Sequence, residues 1–347
     1  MNILIVKLSA IGDVIHTLPS LAELRKLFPD AHITWVVEEA AADLVINHPY
    51  LDKVIISKRK SWLHDFQNGR IQRPLREIKS FIKELRARPY DLVIDFHGLL
   101  KSALIVFFSG GKRKLGYASL QELSGLFYNE KIFEDMNKHA VDRYLDFPGY
   151  LGAKKGQAEF VLPSNGETEA KSQLFLHKYN LADKKYIAIN PVAYWETKLW
   201  DNEKFARLAD LIAARLRMNV VFTGSEKPAL DKIISLMDSK AINLGGETSL
   251  LDLAYLYKKA LLLITTDSGP MHLAAAVGTK VIALFGPTDP QRTGPYGKGH
   301  TIVRTDLPCS PCFLKKCPTK KCLQDILPEQ IMTVIEERLK GGENDFK

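Results

Sequence analysis

Ile264-Thr265-Thr266-Asp267-Ser268-Gly269-Pro270-Met271-His272-Leu273-Ala274-Ala275-Ala276 is an apolar, β-branched run that passes through Asp-Ser-Gly-Pro into a helix of small residues. Pro270 falls in the first turn of that helix, where its missing N–H costs little. A buried strand feeding a helix this tightly is half of a βαβ unit, and the surrounding sequence repeats it. Residues 186–190, 219–223, 241–244, 261–266 and 280–285 read as strands, with helices at 202–217, 228–238, 249–259 and 270–277. An earlier set of strands at 3–7, 33–37, 53–57 and 91–95 alternates with helical patterns at 20–28 and 75–88. The expected fold class is α/β, with two Rossmann-like, doubly wound halves on parallel sheets facing across a cleft.

A chain of 347 residues suits two domains. They are expected at 1–160 and 169–327, separated by the polar stretch 154–168 around Pro163-Ser164-Asn165-Gly166, with a C-terminal helix and tail over 328–347. With 46% apolar and 25% charged residues, the composition is that of a globular protein rather than a disordered one. No apolar run approaches the 18 or so residues of a membrane span. The opening Met1-Asn2-Ile3-Leu4-Ile5-Val6-Lys7 lacks a basic, cleavable leader pattern and reads as a first buried strand, which predicts a cytosolic protein.

The net charge of +8 points to a polyanionic partner. Residues 53–88 hold eleven Lys or Arg against Asp65, Glu77 and Glu84, a surplus as large as that of the whole chain. Such a run is either a solvated helix face or an anion-docking surface. Trp62, Phe66 and Phe81 interleave with it, so a membrane-facing amphipathic element is also open. The chain's four cysteines lie in Cys309-x2-Cys312-x4-Cys317-x4-Cys322. That spacing matches a structural metal knuckle only in part; a reduced thiol cluster tying down the tail and disulfides formed after purification are the alternatives.

In doubly wound sheets, ligands sit beyond the carboxyl ends of the strands. The loop after the first strand, Lys7-Leu8-Ser9-Ala10-Ile11-Gly12-Asp13, is neither a G-x-G-x-x-G fingerprint nor a Walker sequence, which weakens any nicotinamide or P-loop reading. Asp13 can be a helix N-cap, or a carboxylate serving as general base. Lys198 lies in a strand-end loop between Trp195 and Trp200, where a point cation could hold a phosphate. The amides of Ser268, Gly269 and Met271 at a helix N-terminus suit a phosphate or pyrophosphate, whereas Asp267 suits sugar hydroxyls. His272 is a structural histidine or a ligand, and Gly286-Pro287-Thr288 is a pocket wall or a plain turn.

These segments strongly resemble glycosyltransferase family 9, the ADP-heptose:lipopolysaccharide heptosyltransferases. The match is carried by Val6 to Pro19, Trp35-Val36-Val37-Glu38-Glu39, Tyr90 to Asp95 with Gly98 to Ser102, and Asp267 to His272 with Gly286-Pro287-Thr288-Asp289. The N-terminal half is most similar to the type I enzymes, as are Leu126-Phe127-Tyr128-Asn129 and His139-Ala140-Val141. The resemblance implies a GT-B fold with an acceptor domain followed by a nucleotide-sugar domain. It also implies inverting transfer of L-glycero-D-manno-heptose from ADP-heptose to Kdo of Kdo-lipid A, with no cofactor or metal required. Asp13 matches the catalytic base, and Lys198 and Asp267 match donor positions. Ser268, Gly269, Met271, His272, Glu226 and Thr288 follow on the donor side, with Glu226 near the adenosine ribose. Ser9, Lys58, Arg59, Lys60 and Lys101 are the acceptor candidates. The partners implied are ADP-heptose, Kdo-lipid A and the cytoplasmic face of the inner membrane, touched peripherally, with no nucleic acid. The cysteine segment is absent from some type I enzymes and takes no role from the resemblance. Rival readings are a later core step of the heptosyltransferase II kind, another nucleotide sugar, a GT-B epimerase, or a polyanion-binding protein; the last lacks any nucleic-acid recognition element.

Overall fold

The computed structural model describes residues 1–118, 121–154, 156–164, 166–181 and 184–341. The chain divides into two compact units, Met1–Ser164 and Asn165–Lys347. The first unit runs β1 (Asn2–Val6), α1 (Ile11–Leu27), β2 (His32–Glu38), β3 (Lys53–Ser57), α2 (Arg59–Gln67), α3 (Gln72–Leu85) and β4 (Leu92–Asp95). It continues through α4 (Leu100–Ser109), β5 (Arg113–Tyr117), β6 (Glu130–Ile132) and α5 (Ala140–Tyr150). The second begins with α6 (Gly166–Lys178), β7 (Tyr186–Asn190), α7 (Asn202–Leu216), β8 (Asn219–Phe222), α8 (Lys227–Ile234) and β9 (Ile242–Asn243). Then come α9 (Leu250–Lys259), β10 (Leu262–Thr266), α10 (Gly269–Ala276), β11 (Lys280–Phe285), α11 (Pro290–Thr293), β12 (Thr301–Arg304), α12 (Lys321–Gln324) and α13 (Pro328–Gly341).

The two sheets have the orders β3-β2-β1-β4-β5-β6 and β12-β11-β10-β7-β8-β9, parallel throughout. Counted from its own first strand, each unit follows 3-2-1-4-5-6, the dinucleotide-fold order, whose direction reverses between strands 1 and 4. The crevice at that reversal is where such sheets bind ligands. It lies beyond β1 and β4 in the first unit, and beyond β7 and β10 in the second.

Helices on both faces explain why the central strands are unbroken apolar runs. Ile3, Leu4, Ile5 and Val6 are fully buried, as are Ile187, Ile189, Leu263 and Ile264. Each such side chain contributes about 1.5–3 kcal/mol relative to exposure. In the second unit, Phe205, Leu208 and Ile212 of α7 share a core with Ile331, Met332 and Ile335 of α13, so that C-terminal helix is an integral layer.

Three strands went unread in the sequence. β5 opens on Arg113-Lys114 and contains Gly116, where a Cβ would come within 2.4 Å of the Tyr128 ring. β6 has three residues and β12 is an edge strand with no fully buried side chain. The helix expected at 20–28 begins at Ile11, and Pro19 lies inside it. Among the described residues of the stretch expected as linker, those before Gly166 carry no regular structure, and α6 begins at Gly166.

Candidate active site

In the second unit, four adjacent strands end on one edge of the sheet. The loop after β7 forms a short 3-10 turn, Glu196–Lys198, whose Lys198 Nζ lies 2.6 Å from Asp267 Oδ2, just beyond β10. Thr288, beyond β11, donates its hydroxyl to the same Asp267 Oδ2 at 2.6 Å. Lys198 also stands 4.6 Å from the centre of the Trp195 ring. Lys198 is 17% and Asp267 5% exposed, so the cation and carboxylate are largely withdrawn from water. Three of the donor-side candidates thus meet at the topological reversal.

Ser268 caps α10, Gly269 is its first residue, Met271 is fully buried, and His272 is buried one turn in. Met271's amide donates to the Ser268 carbonyl at 3.1 Å. This corrects the expected phosphate cradle, because Met271 is not among its open donors and Pro270 has no N–H. Glu226 caps α8 beyond β8, the next strand to β7, and is exposed. Among the described residues no hydrogen bond or ion pair joins it to Lys198, Asp267 or Thr288.

In the first unit, Asp13 sits at the third position of α1, not at its cap, which is Ala10. Its Oδ2 accepts the Ala10 N–H at 3.1 Å, and its Oδ1 accepts the Tyr144 hydroxyl at 3.3 Å. Lys101, in the first turn of α4, donates to Ser9 Oγ at 3.3 Å. Burial pushes the Lys101 ammonium below its ordinary range; the Glu38 carboxylate counters this, and the Arg59 and Lys60 charges reinforce it. Arg59 and Lys60 lie 3.0 and 3.9 Å from the buried Glu38 carboxylate, and Lys58 is the exposed cap of α2. The acceptor-side candidates therefore gather around Glu38, beyond the ends of β1 to β4.

Three of the other basic residues of that run are paired within it. Arg70 and Arg73 face Asp65, Arg73 also faces Glu77, and Lys53 faces Glu84. Trp62 is buried, donates its Nε1–H to Glu77 at 2.9 Å and stacks edge-on with Phe81, fastening α2 to α3. Trp62 and Phe81 thus form an inter-helix contact, whereas Phe66, the third aromatic of the run, is exposed.

The cysteine segment packs on the donor-side loops. The amides of Cys312 and Phe313 donate to the Pro287 carbonyl at 3.0 and 2.7 Å, Ser310 Oγ to the Gly286 carbonyl at 2.6 Å, and Thr197 Oγ1 to the Leu314 carbonyl at 2.7 Å. It straps the loop after β11 to the loop after β7 and places Lys315 Nζ 5.3 Å from the centre of the Trp195 ring that Lys198 also faces. Cys309, Cys312, Cys317 and Cys322 are free thiols. Burial, then the neighbouring thiols, pushes Cys322 up. Among the described residues no three His, Cys, Asp or Glu side chains stand together as ion ligands, which does not match the metal knuckle considered from the spacing.

The sequence reading missed Lys7, His97, Tyr144 and Lys315. Lys7 had one signal, a lysine closing an otherwise apolar strand. His97 follows β4, and both its ring nitrogens are buried with no hydrogen-bond partner among the described residues. Burial, and then the Lys7 and Lys101 charges, lowers its pKa to about 2, so the ring is neutral.

Two doubly wound units with polar loops at both reversals make an α/β fold of the GT-B kind. The family model of glycosyltransferase family 9 (heptosyltransferase) matches residues 78–323. Lipopolysaccharide heptosyltransferase 1 of Escherichia coli K12 is 31% identical, over 88% of this chain and 93% of its own. The enzyme of the same name from Pseudomonas aeruginosa is 29% identical over 99% of both chains. The solved structure of E. coli heptosyltransferase WaaC with ADP superposes with a TM-score of 0.78 at 27% identity, covering 97% of this chain and 100% of that one. The chain belongs to glycosyltransferase family 9, the heptosyltransferases.

Proposed function

We propose that the chain transfers L-glycero-D-manno-heptose from ADP-heptose to a Kdo hydroxyl of Kdo-lipid A, in assembly of the lipopolysaccharide inner core. The observation that carries this reading is the Lys198–Asp267–Thr288 cluster at the reversal of the second sheet, with Asp13 held by the Ala10 amide and the Tyr144 hydroxyl at the reversal of the first. Relatives named heptosyltransferase 1 favour the first heptose. Relatives named heptosyltransferase 2 and 3 make a later heptose the second reading.

The chemistry follows from charge. Asp13 takes the proton of the acceptor hydroxyl, whose oxygen bonds to the anomeric carbon as the bond to ADP breaks on the opposite face. One displacement inverts that carbon. Negative charge grows on the departing diphosphate, so Lys198, the amides at the start of α10, and Lys315 beside the same tryptophan are worth most in the transition state. With those cations in place the reading calls for no metal or organic cofactor. Both contacts to Asp267 use Oδ2, so Oδ1 serves the donor's hydroxyls. Ser9, Lys58, Arg59, Lys60 and Lys101 meet the acceptor's carboxylates and phosphates. Incubating the protein and ADP-heptose with Kdo-lipid A, or with the same lipid already carrying one heptose, separates the two readings by product mass. Modification of the second acceptor alone moves the enzyme to the later step.

A lipid acceptor calls for a cytoplasmic protein that touches the bilayer peripherally. Among the described residues no helix is long and apolar enough to cross a membrane. Support for peripheral contact comes from α4, whose Leu100, Leu104, Phe107 and Phe108 are spaced as one exposed stripe. Neighbouring α3 carries the exposed Arg76, Lys79 and Lys83, the combination that binds anionic interfaces. Replacing Phe107 and Phe108 together by Ser should weaken sedimentation with phosphatidylglycerol vesicles about tenfold while ADP binding stays unchanged. Equal sedimentation of both proteins would remove α4 from membrane contact.

A further inference from the structure

Lys7, at the end of β1, is 3% exposed although its side chain is basic. Its Nζ donates to the Tyr144 hydroxyl at 2.6 Å and to the Phe96 carbonyl at 3.0 Å, and lies 4.3 Å from the centre of the Tyr144 ring. Burying a cation here is costly, and a methionine of similar length would fill the same space without that cost. The compensation is at one remove. Burial pushes the Lys7 amine below its ordinary range, and the strongest opposing influences are the Asp13 and then the Asp95 carboxylates. Tyr144 connects the two groups. Its oxygen already accepts from Lys7, so its single proton points elsewhere, to Asp13 Oδ1 at 3.3 Å.

We propose that Lys7 and Tyr144 are positioning residues that fix the direction and the charge of the Asp13 carboxylate through the chain Lys7 Nζ–H to Tyr144 O–H to Asp13 Oδ1. The inference rests on Asp13 being the base of the transfer proposed above. The Ala10 amide holds Oδ2 at 3.1 Å, so each carboxylate oxygen has its own donor, one from the main chain and one from this relay. Burial first, and then the Asp13 charge, raises the Tyr144 phenol well above its ordinary value, so it remains a donor throughout the working pH range. Tyr144 is delivered by α5, which packs along α1, so the relay also fastens the catalytic loop to the helix behind it.

Several other charged or titratable groups face this seam. They are Asp95 and the neutral His97 from the end of β4, Lys101 from α4, Glu134 ahead of α5 and Arg143 within it. His16 of α1 and His139, the cap of α5, stand with ring centroids 5.3 Å apart on the same seam.

The test is the pH profile of kcat/KM for Tyr144→Phe and Lys7→Met, beside Asp13→Asn, in the full chain. Tyr144→Phe keeps the ring and removes the donor to the ionised form, so its acidic limb should move to higher pH by about one pH unit. Lys7→Met should move it the same way. The double variant should shift it no further than the larger single shift, as expected of one chain rather than two independent effects. ADP affinity should stay at the wild-type value in all of them. A limb that stays in place in Tyr144→Phe, with any loss equal at every pH, would overturn the relay and leave a packing role. Should Lys7→Met melt early or lose ADP binding, the near-isosteric Tyr144→Phe decides alone. If Asp13→Asn retains turnover, the base assignment itself has failed, whatever the other variants do.

Discussion

Asp13→Asn should lower turnover by about 10²–10⁴-fold, the usual worth of a positioned general base, while ADP affinity and thermal stability change little. The asymmetry follows from where the atoms sit. An asparagine carbonyl oxygen can still accept from the Ala10 amide or the Tyr144 hydroxyl, so α1 keeps its start. What disappears is proton affinity, because an amide cannot take the acceptor's proton. The donor-side residues belong to the other compact unit, so nucleotide binding has no reason to change. Turnover is checked by ADP release under saturating donor and acceptor, and binding by titration of ADP. Near wild-type turnover would remove Asp13 from the chemistry.

The second large effect is expected at Lys198. Lys198→Ala should cut kcat/KM by about 10²–10³-fold, with kcat falling as well as donor affinity, because the cation is worth most as charge develops on the diphosphate. It should also lower the melting temperature, since it leaves the 5%-exposed Asp267 carboxylate with Thr288 as its remaining neighbour in the cluster. Lys198→Arg separates charge from shape. A planar guanidinium has to share the space over Trp195 and opposite Asp267 with a larger head, so it should restore donor binding better than kcat. Initial rates with ADP-heptose varied at fixed acceptor resolve the two parameters. A Lys198→Ala enzyme with unchanged kcat and KM would reduce the residue to an ion-pair partner of Asp267.

The doubly wound architecture was legible because buried parallel strands are continuous apolar runs, and because Asp267-Ser268-Gly269-Pro270 marks the end of one so sharply. Edge elements were not. β5 begins with two basic residues and β12 lies at a sheet margin, so neither carries the hydrophobic run that announces a central strand. Asp13 reads as a cap in the sequence, whereas in the structure the helix starts two residues earlier and Asp13 sits at its third position, with Ala10 as the cap.

The site was legible where one loop holds the chemistry, and illegible where distant residues converge. Asp267 and Lys198 stood out from their loops, but nothing in the sequence joins Tyr144 to Lys7, 137 positions away. The aromatics among the charges of α2 and α3 suggested an outward stripe; Phe66 is exposed, but Trp62 and Phe81 turned inward on each other, and a longer exposed stripe belongs to α4. Interleaving of aromatic and charged residues along a chain does not say which face a helix turns to its neighbour. Packing decides that.

The central claim is a transfer from ADP-heptose to Kdo-lipid A, and acceptor-dependent ADP release tests it most directly. Purified protein with ADP-heptose should release ADP slowly alone and far faster when Kdo-lipid A is added, with one heptose gained per lipid by mass. ADP release that is indifferent to the lipid, with the lipid mass unchanged, would contradict the account.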